Sequence, residues 1–305
     1  MVYKVKELLN DYQQRNAEIK TKKLYFTGVG GKDVYNITAP FEDDGQMVIA
    51  GRVEARDTEL SEVIFFVEKN GVWTPRGNTK SYLLQDPFVS KIRGQLVFGG
   101  VEVFPNPEVE GHFLWRTVFY KGDNINQLTH FANGPIGMKD IRLFEYNLEN
   151  IGVFTRPQGE VGGRGKIGFF MISSLEELSS ERFEAASLIK EHFTDDEWGG
   201  VNQAFVNEKG QVFGLGHIAC FDHEKNRHYY PISFEFLPES NEIKSMKIIA
   251  VRDDFPEGAA KRKDLTDVLF SGGLTFTEDG RAELYVGVSD AEAHMAVISD
   301  PYTSF

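Results

Sequence analysis

Hydrophobic and polar positions follow two different patterns along the chain. Near the N-terminus, Val5, Leu8, Leu9 and Tyr12 fall on one face of a helical repeat, and charged residues fill the other positions. From about residue 32 to the end, short β-like runs are separated by Gly, Asn and Asp turns. The pattern predicts an amphipathic helix within residues 2–19, followed by a long all-β region.

The β-like runs repeat as pairs, each consisting of a strand, a polar turn and a second strand. The five pairs are YNITAPF with MVIAGRVE, QDPFVSKI with LVFGGVEVF, KDIRLFEYN with IGVFTRP, VNQAFVNEKG with VFGLGHIACFD, and LFSGGLTFTEDG with AELYVGVSD. A polar residue lies near the start of each first strand. These residues are Asn36, Asp86, Asp140, Asn202 and Ser271, at separations of 50, 54, 62 and 69 residues.

Five units of this length, with about four strands each, are typical of the blades of a β-propeller. The first strand of a blade lines the central channel, so the polar strand starts would meet at one end of the axis. The sequence predicts an all-β fold, with an N-terminal helical extension over residues 1–30 and a five-bladed β-propeller over residues 31–305. Serine caps and helical spacing at residues 173–193 predict a short helical insertion between blades three and four. A β-sandwich is the alternative.

Composition agrees with one large β domain. The 305 residues are 41% hydrophobic and include 30 glycines and 25 phenylalanines. The net charge of −13 argues against broad binding to nucleic acid or to anionic membranes. The single cysteine excludes an intrachain disulfide and a cysteine-based zinc cluster. Without a long apolar run or a signal-peptide pattern, we expect a cytoplasmic protein.

Asp86 is the most unusual of the polar strand starts, because Pro87 follows it inside a strand-like run. Proline removes a backbone donor and favours extended geometry in the residue before it. A carboxylate at such a position needs hydrogen-bond partners, a cation or a watery cavity. A turn-initiating aspartate is the simpler interpretation, but the recurrence of polar strand starts favours a place on the propeller axis.

The other blades supply charged and polar residues that could surround Asp86. Taken singly, each has an ordinary structural interpretation, such as an ion pair between Arg52 and Glu54 or a satisfied buried His217. Together, cations and carboxylates on the inner strands of an acidic protein favour a site for an anion beside a polyhydroxylated ligand. No pair of His and Asp has a metal-ligand spacing, so no metal site is predicted.

The ordered segments YNITAPF…AGRVE, QDPFVS, FLWRTVFY, KDIRLFEYN…FTRP, GLGH and LYVGVSDAE resemble those of the inverting β-mannoside phosphorylases, which are five-bladed propellers. GRVE, QDPF and VSDAE are most similar to a formerly uncharacterised family now associated with mannosyltransferase/phosphorylases of mannose-oligomer turnover. The similarity spans about residues 33–298. Gln85 and Phe88 depart from the pattern, as does Leu215, where the phosphorylase segment carries a tyrosine.

The resemblance implies specific roles. Asp86 would be the general acid, protonating the glycosidic oxygen through a mannose hydroxyl while phosphate attacks the anomeric carbon with inversion. Phosphate would be a co-substrate, and no other cofactor is expected. The implied phosphate-binding residues are Arg116, Lys139, Arg156 and His217. The implied sugar-binding residues are Asn36, Arg52, Glu54, Asp140 and Asp290.

The expected ligands are mannose oligosaccharides, phosphate and mannose 1-phosphate, with a nucleotide-mannose donor and a homo-oligomer left open. One alternative is a propeller glycoside hydrolase, which would need Asp86 and a second carboxylate roughly 6.5–9.5 Å apart. Asp140, Glu54 or Asp290 could provide it. Another alternative is a non-catalytic sugar-binding propeller. For a general acid, we expect burial to raise the pKa of Asp86.

Overall fold

The structure, a computed structural model, describes residues 2–15 and 18–303 and is nearly all-β. The helices are α1 Val5–Gln14, α2 Gly159–Gly162 and α3 Ser180–Glu184, with single 3-10 turns at Ile125–Gln127, Leu175–Glu177, Arg252–Asp254 and Lys263–Leu265. The strands are β1 Lys20–Lys23, β2 Tyr25–Phe26, β3 Asp33–Tyr35, β4 Phe41–Asp43, β5 Gln46–Glu54, β6 Ser61–Lys69, β7 Val72–Pro75, β8 Gln85–Ile92, β9 Gln95–Pro105, β10 Phe113–Gly122, β11 Thr129–Asn133, β12 Arg142–Glu145, β13 Ile151–Thr155, β14 Gly168–Ile172, β15 Ser187–Leu188, β16 Trp198–Val206, β17 Val212–Phe221, β18 Arg227–Leu237, β19 Glu242–Ile248, β20 Asp267–Phe276, β21 Arg281–Val288 and β22 Glu292–Ser299.

The strands form consecutive antiparallel groups. Group one contains β3–β7, with β2 added in parallel at β7; group two contains β8–β11, group three β12–β15 and group four β16–β19. Group five contains β20–β22, and β1 from the N-terminal segment pairs with β22. A short parallel contact between β18 and β20 joins groups four and five into one sheet. The predicted boundary near residue 30 therefore falls inside the sheets.

Neighbouring groups pack against each other through buried apolar side chains. Their first strands also meet: β8 contacts β12, β12 contacts β16, and β16 contacts β20, while β3 contacts β21 and β22. The apolar clusters between successive groups include Phe65 with Phe98, Phe119 with Phe183, Phe154 with Phe236, Leu215 with Leu284, and Ile37 with Tyr285. Burial of each such side chain contributes about 1.5–3 kcal/mol, so these contacts hold the groups around a common centre.

The two helical segments predicted from the sequence take different forms. Helix α1 buries Val5, Leu8 and Tyr12 against the cluster between groups three and four, as its amphipathic pattern indicates. The predicted insertion at residues 173–193 is a 3-10 turn, the one-turn helix α3 and the strand β15, which pairs with β14. Ser179 interrupts the helix because its side chain caps the turn that follows, accepting from the backbone of Arg182.

An ion pair fastens the N-terminal strand to group five. Lys23 on β1 donates to Glu292 on β22 at 2.6 Å, and Glu292 also contacts His294 at 3.0 Å. Burial alone would raise the pKa of Glu292, but the hydrogen bonds from Lys23 and His294 lower it to about 2.

No helix in residues 2–15 and 18–303 is long and apolar enough to cross a membrane.

We expect Glu292→Gln to lower the free energy of unfolding by about 2 kcal/mol at pH 7, since it removes a buried charge-assisted hydrogen bond. A folded-state pKa below the unfolded value gives stability that is present above the unfolded pKa and is lost as pH falls. The difference in the free energy of unfolding between the variant and the wild type should therefore become smaller below about pH 4.5. Urea unfolding at several pH values measures it, with Glu18→Gln as the control, because Glu18 pairs with Lys20 at an exposed site.

Candidate active site

Backbone irregularities occur at each of the polar strand starts. Asn36, Asp86 and Asp140 have φ angles of +45°, +46° and +58°, in the left-handed region that non-glycine residues rarely occupy. The strand register also shifts between Gln85 and Phe88 on β8, between Val201 and Gln203 on β16, and between Ser271 and Gly273 on β20. A β-bulge re-aims a side chain, which explains how residues on separate strands reach a common centre.

Asp86 departs from the extended geometry that Pro87 predicts. Its left-handed φ lies within the β8 bulge, and such a conformation costs about 1–3 kcal/mol and persists only where its surroundings impose it. The surroundings do so here, because Oδ1 of Asp86 accepts hydrogen bonds from Asn36 at 2.7 Å and from Arg52 at 3.1 Å. The strain is therefore coupled to the position of the carboxylate.

Three of the polar strand starts, Asn36, Asp86 and Asp140, line an inner cavity of about 200 Å³. Most of the residues that the sequence singled out for binding or catalysis meet there. They are Asn36, Arg52, Asp86, Lys139, Asp140, Arg156, His217 and Asp290. The cavity can therefore hold one small polar group between several carboxylates and cations.

The charge around Asp86 keeps it ionised. Burial alone would raise its pKa, but Arg52, Lys139 and the hydrogen bond from Asn36 together lower the pKa of Asp86 below its usual value. This result is opposite to the raised pKa that we expected from burial. Asp86 is thus a carboxylate in the free protein and needs a change in its surroundings before it can hold a proton at neutral pH.

Asp140 is the second buried carboxylate and is held by arginines. Its Oδ2 accepts from Arg156 at 2.8 Å, and its Oδ1 lies 3.8 Å from Arg142. Burial would raise the pKa of Asp140, but Arg156, Lys139, His217 and Arg142 hold it well below the usual range. A carboxylate of such low basicity is suited to accepting hydrogen bonds from sugar hydroxyls and is a poor general base.

Lys139 and Asp290 are the two charged groups of the cavity that have no close partner. Within the described residues, neither side chain forms a hydrogen bond or an ion pair. Burial raises the pKa of Asp290. The charge of Arg52 opposes this effect, and the charge of Asp86 adds to it. Lys139 lies near enough to Asp86 and Asp140 to lower the pKa of both carboxyl groups. An unpaired cation in a confined cavity is a binding group for an anionic ligand.

His217 lies on β17, fully buried at the wall of the cavity. Burial lowers the pKa of His217 to about 3, with Arg156 and Lys139 acting in the same direction and Asp140 opposing. The imidazole is therefore neutral at physiological pH. Its Nε2 lies 4.0 Å from Oδ2 of Asp140 and has no hydrogen-bond partner among residues 2–15 and 18–303.

Glu54 does not line the cavity, contrary to its predicted role in binding sugar. It lies behind Arg52, accepting from its Nη2 at 2.6 Å and from the hydroxyl of Tyr35 at 2.7 Å, and it pairs with Lys261. Residues 52 and 54 share one face of β5, as strand alternation predicts. Glu54 thus holds the guanidinium of Arg52, which in turn contacts Asp86.

Arg116 also lies away from the cavity that it was predicted to join. Its Nε donates to Glu102 at 2.7 Å, and the guanidinium lies 5.5 Å from the ring centre of Phe104. The neighbouring Trp115 lines the outer cavity, and successive side chains of a strand point to opposite faces. Arg116 therefore belongs to the other face of β10.

We expect Arg116→Ala to leave the KM for phosphate within about twofold of wild type, because a half-exposed ion pair of this kind contributes at most about 1 kcal/mol. Steady-state kinetics with varied phosphate measure the effect, and Glu102→Ala is the matched control. A tenfold rise in the KM for phosphate in Arg116→Ala alone would place this arginine at the phosphate after all.

An outer cavity of about 710 Å³ continues from the inner one. Both are lined by Glu59, Gln85, Lys139, Arg156, Arg227 and Tyr229. Sequence reasoning missed Glu59, Arg227 and Tyr229, and also Arg262 of the inner cavity. Arg227 and Tyr229 lie on β18, the third strand of its group, and the alignment of repeats covered only the first two strands. Arg227 and Tyr229 are two residues apart on one strand and so share a face, which is the sequence pattern that could have indicated them.

The remaining observations set limits on the site. A separate cavity of about 540 Å³, lined in part by Asp43, Asp44 and Lys91, contains none of the predicted site residues. No group of three or more His, Cys, Asp or Glu side chains within the described ranges could hold a metal ion.

Comparison with known proteins gives the family. The family model described as "Protein of unknown function (DUF1861)" matches residues 11–304. The chain belongs to this family. No curated protein matches the chain.

Two solved structures from Leishmania mexicana are similar to this DUF1861 protein over nearly its whole length. One is MPT-4, a mannose phosphorylase in complex with phosphate ion, with 34% identity, a TM-score of 0.89, and coverage of 97% of this chain and 93% of that one. The other is MPT-1, a GDP-Man-dependent mannosyltransferase, with 31% identity, a TM-score of 0.89, and coverage of 99% and 96%. These relatives confirm the resemblance inferred from the sequence motifs and the expectation of an enzyme.

A more distant structure shows the fold alone. The β-1,2-mannobiose phosphorylase from Listeria innocua is 12% identical, with a TM-score of 0.61 over 92% of this chain and 91% of that one. Its similarity agrees with the sets of antiparallel strands seen here and with a propeller-like architecture.

Proposed function

We propose that this DUF1861 protein is an inverting phosphorylase of β-mannosides, which transfers a mannosyl group from a mannooligosaccharide to phosphate and can run in reverse. The observation that carries the proposal is the unpaired Lys139 beside the carboxylate of Asp86 in the inner cavity. The relatives named as a mannose phosphorylase and a mannosyltransferase support the class of substrate.

We also propose that groups one to five are the blades of a five-bladed β-propeller. Five repeated units in the sequence, five strand groups in chain order and an apolar cluster between each pair of neighbours support this assignment. In this arrangement, β1 completes the last blade, and the inner cavity lies at one end of the axis.

The residues of the inner cavity, which opens into the outer one, form two sets of binding groups for a phosphorolysis. Asn36, Arg52, Asp140 and Asp290 would bind the mannose next to the bond, while Lys139, Arg156 and His217 would bind phosphate. The bond from the anomeric carbon to the glycosidic oxygen breaks, and a bond from that carbon to a phosphate oxygen forms on the opposite face. Cations that orient an anionic nucleophile and offset its charge lower the barrier to this step.

The proton balance also involves phosphate. Hydrogen phosphate carries one hydrogen, and after transfer that hydrogen resides on the hydroxyl of the released sugar. Since Lys139 lowers the pKa of Asp86, a phosphate dianion bound at Lys139 offsets this effect and raises the pKa. Asp86 can then take up the proton and pass it through a mannose hydroxyl to the departing oxygen, returning to the carboxylate form.

The discriminating assay is the release of mannose 1-phosphate from a β-mannooligosaccharide with and without phosphate. Phosphorolysis with inversion gives the α anomer of the product, which proton NMR identifies. Release of free mannose at the same rate without phosphate would instead identify a hydrolase. The weak basicity of Asp140 makes it a poor candidate for the general base that an inverting hydrolase needs, so Asp290, whose pKa is raised, would have to fill that role.

The outer cavity supports a nucleotide-mannose donor as a second candidate. The guanidinium of Arg164 lies 4.8 Å from the ring centre of Phe221 and 5.7 Å from that of Trp198, and Arg227 lies 5.7 Å from Phe221. Guanidinium groups bind phosphates and aromatic rings stack on bases, so this wall fits a nucleoside diphosphate. Formation of GDP from GDP-mannose and a mannooligosaccharide tests it, and MPT-1 makes this the donor to try first.

A further inference from the structure

Two of the five polar strand starts, Asn202 and Ser271, do not line the inner cavity. Both are buried, at 4% and 0% exposure, and both lie beside His217. The atom placed as Oδ1 of Asn202 is 2.9 Å from Nδ1 of His217 and 3.0 Å from Oγ of Ser271. Oγ of Ser271 is also 2.8 Å from the carbonyl oxygen of Gly216. The three side chains therefore form one hydrogen-bonded chain that ends at the cavity.

The carbonyl of Gly216 fixes the direction of this chain. The oxygen and nitrogen of an amide exchange places by a half-turn of the group, and its hydrogen-bond partners decide between the two orientations. The Gly216 carbonyl can only accept and the Ser271 hydroxyl has a single hydrogen, so an Asn202 oxygen at this position would leave one of the two short contacts without a hydrogen. The atom of Asn202 that faces this hydroxyl must then be a donor, and only the amide nitrogen can donate.

In the same orientation, the atom of Asn202 that lacks a partner among the described residues is its carbonyl oxygen and not its amide nitrogen. With its nitrogen facing Ser271 and His217, both amide hydrogens have acceptors. In the reverse orientation, the nitrogen is buried without a partner among the described residues. A buried donor left unpaired costs about 1–3 kcal/mol, so the network selects the orientation in which Asn202 donates.

The orientation of Asn202 determines the tautomer of His217. Nδ1 accepts the amide hydrogen and so carries the lone pair, and the ring hydrogen lies on Nε2. That nitrogen is buried at the inner cavity, 4.0 Å from Oδ2 of Asp140. His217 thus presents a neutral N–H group to whatever occupies the cavity.

We infer that Asn202 and Ser271 are positioning residues that hold His217 as the tautomer whose Nε2–H donates a hydrogen bond to the phosphate. This inference rests on the proposed function for the identity of the ligand. Because the imidazole remains neutral, its contribution to phosphate binding should not vary between pH 6 and pH 8. The inference also gives a role to the polar strand starts of groups four and five, which act through a neighbour and not by direct contact.

Nitrogen NMR of the wild-type protein without substrate tests the tautomer directly. The chain contains seven histidines, and the loss of one set of ring signals in His217→Gln identifies the ring of interest. We expect a protonated Nε2 and an unprotonated Nδ1. A hydrogen on Nδ1 overturns the inference, whether or not the protein proves to be a phosphorylase.

Asn202→Asp tests the consequence for binding. A carboxylate can only accept, so Nδ1 must carry a hydrogen, and the neutral ring then turns a lone pair toward the phosphate. The new carboxylate beside Nδ1 also raises the pKa of His217. We expect the KM for phosphate to rise about tenfold at pH 8 and to recover as pH falls, because protonation of His217 restores a hydrogen on Nε2. Unchanged KM values from pH 6 to pH 8 overturn the inference.

Asn207→Asp is the matched control for this variant. Asn202 lies within β16, and Asn207 follows the end of that strand. In an exposed turn, Oδ1 of Asn207 accepts hydrogen bonds from the backbone of Lys209 and Gln211. An aspartate keeps both bonds, so the KM for phosphate should equal that of wild type at every pH. If wild type releases no mannose 1-phosphate, the proposed function fails, while the NMR result still decides the tautomer.

Discussion

Asp86→Asn should lower kcat for phosphorolysis of a β-mannooligosaccharide by a factor of about 10³, since general acid catalysis contributes about 10²–10⁴-fold. The amide keeps the shape of the side chain but cannot pass a proton to the departing oxygen. The fold should survive, because Arg52 retains Glu54 as a partner at 2.6 Å. Initial rates at saturating phosphate measure the loss.

A substrate with an activated leaving group separates the acid from other roles of Asp86. The dinitrophenolate released from 2,4-dinitrophenyl β-mannoside needs no proton, so Asp86→Asn should process this substrate at a rate much closer to that of wild type. The matched control is Asp43→Asn: Asp43 is also buried and paired with an arginine, Arg76, but lines the separate cavity. Equal losses on both substrates, or activity near wild type on the oligosaccharide, would contradict the assignment of Asp86 as the acid.

The positions of the polar strand starts could be predicted because they depend on spacing alone. When a unit recurs every 50–69 residues, its equivalent positions lie at the same end of a common axis. Asn36, Asp86 and Asp140 reach the inner cavity for this reason. Asn202 and Ser271 do not reach it: Asn202 contacts His217 and lines the separate cavity, and no local sequence pattern indicates this.

The predictions that differ from the structure concern two things. One is which face of a strand points to the cavity, and the other is which side chains on one face pair with each other. Trp115 and Arg116 point to opposite sides of β10, and the sequence did not reveal which side faces the cavity. Arg52 and Glu54 share one face, as predicted, but the shared face allows an ion pair between them as readily as two separate contacts with a ligand. The structure shows the ion pair, so Glu54 supports Arg52 and does not reach the cavity.

The electrostatic state of Asp86 could not be predicted because its cations come from other parts of the chain. Arg52 lies on β5 and Lys139 precedes β12, so neither is a neighbour in sequence. Burial alone predicts a raised pKa, whereas these cations lower it. In the proposed mechanism, bound phosphate therefore sets the protonation state of Asp86.

Lys139→Met is expected to raise the KM for phosphate about 100-fold and to change the KM for the mannooligosaccharide much less. A hydrogen bond between charged groups contributes about 1.5–3 kcal/mol, which corresponds to a factor of about 10–150 in affinity. Within the described residues, Lys139 forms no hydrogen bond or ion pair, so its ammonium hydrogens are free to bind phosphate. Lys139→Arg, which keeps the charge, should recover part of the affinity.

The same substitution should change the pH dependence of the acid. Lys139 lowers the pKa of Asp86, so its removal lets that pKa rise, and the protonated form of Asp86 persists to higher pH in the free enzyme. The upper limit of kcat/KM for the oligosaccharide, measured at fixed phosphate, should therefore move to higher pH. Lys91→Met is the control, since Lys91 lines the separate cavity. Equal rises in the KM for both substrates, or a pH profile that does not move, would mean that Lys139 supports the cavity without binding phosphate.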